Sequence, residues 1–241
     1  MEKKDKPAWS MPVLIVLMVL GSFTSCRDFF STSLFPGAGR DPADLVPPVT
    51  PGNVDELIKR AENNPDFALA VLQGIKDTLG KGGSQDDKDR LLAAALKAAA
   101  NASAIGSSML NTVGKIPESI NQDKVIELVD NTIKTMPNLS AASSILLTLV
   151  PDSTEDKNAF DSFIRATKAD DLAIASIILV AAEIKGQGGD INHYVQTLDP
   201  LGPRSSLEKT ALEFAGAAIK KTGLNKPNGF IEDILRGLNL I

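Results

Sequence analysis

The chain has 241 residues, 43% of them hydrophobic, with 25 Lys and Arg against 30 Asp and Glu. That much apolar material can build a core and excludes a wholly disordered chain. The formal charge of −5 disfavours a role on phosphate backbones, so no nucleic-acid partner is expected. Only 5% of residues are aromatic, and Ala, Leu and Ile dominate, which favours helices packed through small side chains over sheets.

The first element is an export signal over residues 1–25. Lys3, Lys4 and Lys6 make a basic start, Val13 to Leu20 is apolar, and Gly21-Ser22-Phe23-Thr24-Ser25 leads into Cys26. The apolar run is too short to span a bilayer, which takes ~20 apolar residues. Cys26 is the only cysteine, so no intrachain disulfide can form. Removal of residues 1–25 takes three lysines and two acids and leaves the remainder slightly more acidic.

The Phe23-Thr24-Ser25-Cys26 stretch resembles a lipobox, the signal that precedes the lipidated cysteine of bacterial lipoproteins. Thr24 and Ser25 fit its small-residue positions, and Phe23 replaces the usual Leu, as in spirochaetal forms. The resemblance implies that Cys26 carries acyl chains, palmitate among them, and that the membrane is a partner through that lipid. Each buried CH₂ contributes ~0.8 kcal/mol, so several chains hold a protein stably where one does not.

Residues 26–52 read as lipid anchor and tether. Pro36, Pro42, Pro47, Pro48 and Pro51 stiffen the segment, and Gly37 and Gly39 punctuate it. At ~3.1 Å per residue in polyproline geometry it could reach ~80 Å. Phe29, Phe30, Leu34 and Phe35 either rest at the lipid headgroups or dock on the body.

Residues 53–241 read as an all-helical domain. Asn53 with Glu56 fits a capping pattern, Asn64-Pro65-Asp66 places Pro at a first helical position, and Ser205 with Glu208 is a capping box. Segment 122–136 is amphipathic: Val125, Leu128, Val129, Ile133 and Met136 share one face, and Lys124, Glu127, Asp130, Asn131 and Lys134 lie elsewhere. Leu172 to Ile184 is apolar except for Ser176 and Glu183, and reads as the most buried helix. Phe230, Ile231, Ile234, Leu235 and Leu238 pattern a last helix.

Asp55, Asp87, Asp123, Asp156 and Asp190 each lie near an expected helix start, at spacings of 32, 36, 33 and 34. Second helices are expected near Pro65, Ile105, Asn138 and Ala169. Two helices per ~34 residues is the period of tetratricopeptide-like arrays, although the Trp, Leu-Gly and Tyr signature of that family is absent. The fold class is therefore all-α, either a helical-hairpin array or an irregular helical bundle. With its lipobox and this spacing across 53–223, the chain resembles spirochaetal envelope lipoproteins. It is distantly similar to the helical lipoproteins that accompany solute-binding proteins of TRAP-type transporters. That resemblance implies an envelope protein partner and carries over no binding residue.

Motifs for chemistry are thin. Ser206-Leu-Glu-Lys209 and Lys221-Thr222-Gly223 match patterns of penicillin-recognising enzymes, but the Lys-Thr-Gly ends a helix, where Gly223 is a natural C-cap, and Val129-Asp130-Asn131 precedes the serine instead of following it. His193 is the only histidine, with Asp190 one turn earlier. A lone histidine builds no typical zinc site, and a helix-end position explains it. Gly80 to Ser84 and Gly186 to Gly189 read as loops without phosphate-loop spacing. Asp86, Asp87 and Asp89 lack the spacing of a calcium loop and suit the positive end of a helix dipole. Asn101-Ala-Ser103 and Asn138-Leu-Ser140 match glycosylation sequons that have no meaning in a bacterial lipoprotein. No catalytic residue, metal or cofactor is assigned. The expected function is a lipid-anchored envelope protein acting as a protein-interaction module, such as an accessory to a transporter; the alternative is carriage of small hydrophobic ligands between helices. The site is the cell membrane or outer membrane, on the periplasmic or the surface-facing side.

Overall fold

The computed structural model describes residues 45–105, 122–197 and 202–221, and among these every regular element is a helix. In chain order they are α1 (Val54–Arg60), α2 (Pro65–Leu79), α3 (Gln85–Ala102), α4 (Gln122–Thr135), α5 (Leu139–Leu149), α6 (Lys157–Ala166), α7 (Ala169–Gly186), α8 (Ile191–Thr197) and α9 (Ser206–Lys221). The fold class is all-α, as composition and periodicity lead one to expect.

Helix starts follow local chemistry. Asn64 accepts the Phe67 N–H at 3.0 Å, with Pro65 next in the chain supplying the fixed φ of a first helical residue. Ser84 caps α3 by accepting the Asp87 N–H at 3.2 Å, and Asp86 and Asp87 sit in the first turn, where the dipole favours negative charge. Asp156 caps α6 through the Ala159 N–H at 3.0 Å. Ser205 and Glu208 form both halves of the capping box: Ser205 Oγ accepts the Glu208 N–H at 3.1 Å, and Glu208 Oε2 accepts the Ser205 N–H at 3.0 Å.

Asn53 corrects the expected capping pattern. Its backbone is already in the right-handed helical region and its side chain makes no cap. Instead Oδ1 accepts the Thr50 N–H at 2.8 Å and Nδ2 donates to the Pro48 carbonyl at 2.9 Å. The side chain turns backward and closes the loop that leads into α1. Asn138 behaves similarly before α5: it adopts a left-handed backbone, makes no cap, and donates to Asp66 at 3.0 Å.

The expected second helices begin at Pro65, Leu139 and Ala169, beside the predicted positions; of the one expected near Ile105, Ile105 itself is buried in the core and the residues after it lie outside the described ones. Their packing, however, is not that of a linear stack. In an array each hairpin meets only its neighbours. Here α2 reaches α5, and α3 packs against α6 and α7 as well as α1, α2 and α5. These contacts skip whole units of the expected period and belong to a bundle, with α3 and α7 at its centre.

Helix α7 is the most buried, as its sequence predicts: Leu172, Ile178, Leu179, Val180 and Ile184 are fully buried, and apolar side chains point from it in all directions. It meets α9 across Ala211, Ala215 and Ala218, and α3 brings Ala94, Ala95, Ala98, Ala99 and Ala102 to the same core. Alanines let helix axes approach closely, so few aromatics are needed to fill the space. Among the buried aromatics, Phe163 of α6 packs against Phe214 of α9, with ring centroids 5.8 Å apart and planes inclined by 51°. No helix among the described residues is long and apolar enough to cross a membrane.

Candidate functional site

Cys26, the residue on which the lipid-anchor expectation rests, lies outside the described residues, as do Phe29, Phe30, Leu34, Phe35 and Gly223. The structure does describe where the connecting segment meets the body. The packed region begins earlier than the expected start at Asn53: Val49 is 5% exposed and belongs to the core. Its seat is Gly74, in the interior of α2. A Cβ built on Gly74 would lie 2.5 Å from Val49 Cγ2, closer than carbon atoms can approach. Glycine costs a helix interior ~1 kcal/mol relative to alanine, and here its missing side chain is the space that Val49 fills. Thr78, one turn further along α2, donates to the Val49 carbonyl at 2.8 Å and fixes the chain at this point.

A hydrogen-bonded polar network, buried at Tyr194 and Glu208, lies where the end of α7 meets α8 and the start of α9. Glu208, 7% exposed, accepts the Tyr194 O–H at 2.8 Å through Oε1, while Oε2 takes the Ser205 N–H. Ser205 Oγ donates at 2.8 Å to Glu183, which also accepts from Gln187 at 2.7 Å. Burial, then the hydrogen bond and charge of Glu208, push the Tyr194 hydroxyl far above its usual range, so it is a fixed donor. Ser176 of α7 donates to the Ala211 carbonyl of α9 at 2.8 Å. No buried side-chain nitrogen or oxygen among the described residues lacks a partner. These groups hold helices together.

The residues singled out for chemistry are not brought together as a catalytic set. His193 is exposed at the start of α8, and the Asp190 carboxylate accepts the His193 main-chain N–H at 3.0 Å; that bond caps the helix and does not orient the imidazole. Ser206 and Lys209 are both exposed on α9, and Lys221 donates to the Arg165 carbonyl at 2.9 Å. Asp130 accepts the Ile191 N–H at 2.9 Å, tying α4 to α8. Asp89 accepts from Gln85 and from Ser162 of α6. Among the described residues no group of three His, Cys, Asp or Glu could hold a metal ion.

Neither Tyr194 nor Val49 is singled out by sequence patterning. Tyr194 is the only tyrosine, a weak signal for a buried polar anchor, and Gly74 inside a well-capped helix marks the Val49 seat only in retrospect. No family model, curated protein or solved structure matches the chain.

Proposed function

We propose that this chain is a lipoprotein, moored to a bilayer of the cell envelope through acyl chains on Cys26, whose helical bundle serves as a protein-interaction module. The observation that carries the reading is the position of the only cysteine. It follows a basic start, an apolar run and the small residues Thr24 and Ser25, where a lipidated cysteine belongs. The placement of Val49 fits that reading: Val46 and Val49 already pack on the core, and Val49 seats on Gly74 before the first helix begins.

An interaction role suits the polar chemistry of the body, where buried side chains such as Tyr194, Glu208 and Ser176 tie helices to one another. The bundle packs its central helices through alanine, which supports recognition on the outer surface over carriage of a ligand between helices. Cross-linking in intact membranes of the native host, followed by mild detergent extraction, tests this part. A partner protein in constant ratio to the bait, lost when Cys26 is replaced by Ser, is the expected result. Recovery of the bait alone across several detergents overturns the interaction reading and leaves the lipid anchor to be judged by its own test.

A further inference from the structure

In an acidic chain, one corner of the bundle is basic. Arg165 stands in the last turn of α6, Lys168 immediately precedes α7, and Lys220 and Lys221 end α9. The Lys221 ammonium touches the Arg165 carbonyl at 2.9 Å, which brings the ends of α6 and α9 together. Lys97 stands on α3, which packs against both α6 and α7, and it and Lys168 both act on the Asp171 carboxyl, whose pKa burial nevertheless holds above its ordinary range. All five cations are exposed.

Asp170 and Asp171 lie on the same corner, and Asp161, one turn before Arg165, is paired with Lys157 at 3.5 Å. The ion pairs formed among the described residues are Lys157–Asp161 and Arg90–Asp55, and neither uses any of the five. Three of these cations sit in the last turns of α6 and α9, where they also complement the negative end of the helix dipole. Dipole compensation accounts for one cation per helix end and leaves unexplained why Lys97 and Lys168, on other elements, converge on the same place.

We propose that Lys97, Arg165, Lys168, Lys220 and Lys221 form a docking face for an anionic bilayer surface, which turns this corner of the bundle toward the membrane. A cluster of four to eight basic residues is the size that anionic headgroups attract appreciably. Such a contact is weak alone, and a tether makes it effective by raising the local concentration of the surface. The biological sense of the inference therefore rests on the lipid-anchor reading, although the contact itself is measurable without any lipid on the protein.

The test uses the chain from residue 26 onward carrying Cys26→Ser, so that no acyl group contributes. Co-sedimentation is measured with vesicles of phosphatidylcholine alone and of mixed phosphatidylglycerol and phosphatidylcholine, at low salt. The expected result is binding to the anionic vesicles only, abolished at about 0.5 M salt. The variant Arg165→Gln/Lys168→Gln/Lys220→Gln/Lys221→Gln should bind them more weakly by at least about tenfold. A control with the same loss of charge, Lys59→Gln/Lys76→Gln/Lys81→Gln/Lys88→Gln, should change binding by no more than about twofold. Far-UV circular dichroism checks that both variants remain helical. Equal losses in the two variants, equal binding to neutral vesicles, or no binding to anionic ones overturns the proposal. So does capture by polyglutamate in place of vesicles, which would assign the corner to an acidic protein. Because the cysteine is absent throughout, these failures are separate from failure of the anchor.

Discussion

Replacing Gly74 by alanine should destabilise the protein, against the ordinary expectation for a helix interior. Helix propensity alone predicts a gain of ~1 kcal/mol for Gly→Ala in the middle of α2. The new methyl would stand 2.5 Å from Val49 Cγ2, so Val49 must leave its seat. Expelling a buried valine loses roughly 1.5–3 kcal/mol of burial, and the Thr78 bond to the Val49 carbonyl adds about 1 kcal/mol. The net effect is a loss of about 1.5–3 kcal/mol, read as a lower midpoint in urea unfolding followed by far-UV circular dichroism and by the fluorescence of Tyr194. The sign should reverse once the obstruction is gone. In a Val49→Ala background the nearest remaining atom is the residue 49 Cβ at 3.4 Å, an ordinary contact, so Gly74→Ala should then stabilise by ~1 kcal/mol. Stabilisation by Gly74→Ala in the wild-type background, or identical effects in both backgrounds, would refute the docking of Val49 on α2.

Two further perturbations probe the polar parts of the body. Tyr194→Phe removes the donor that faces the buried Glu208 carboxylate and should lower stability by roughly 1–3 kcal/mol, as a smaller ΔG of unfolding in urea; an unchanged midpoint would place the hydroxyl in solvent. Asp171 is the carboxyl that burial pushes up, with Lys97 and Lys168 opposing. A raised folded-state pKa makes ionisation cost folding free energy above that pKa, and the cost disappears as pH falls below the unfolded value near 3.9. Asp171→Asn should therefore raise the denaturation midpoint at pH 7 and lose its advantage at about pH 3; a variant less stable than wild type at neutral pH would show that the Lys97 and Lys168 charges dominate.

What could be read from the sequence was mostly local. The Asn64-Pro65 start, the Ser205–Glu208 box and the long apolar run of α7 each depend on residues within a few positions of one another, and all three stand in the structure. Asn53 misleads because the same side chain that caps a following helix also closes a preceding turn, and Thr50 and Pro48 supply the partners for the turn. The arrangement of helices was not legible at all. Regular spacing of helix starts is compatible with a stack or a bundle, and only the contacts of α3 with α6 and α7 decide between them. The Val49 seat escaped for a related reason: it pairs an apolar residue in a proline-rich segment with a glycine 25 positions later, a relation that no periodicity encodes. The same holds for Tyr194 of α8 and Glu208 of α9, which meet across 14 positions of sequence.

The lipid on Cys26 is the claim that decides whether the bundle has a membrane to face. Growth of the native host with an alkyne-bearing palmitate analogue, followed by detergent phase separation, measures it directly for the wild-type chain and for Cys26→Ser. The wild-type protein should carry the label and enter the detergent phase, while Cys26→Ser carries none and stays in water. An unlabelled wild-type chain, or a serine variant that still enters the detergent phase, contradicts the account.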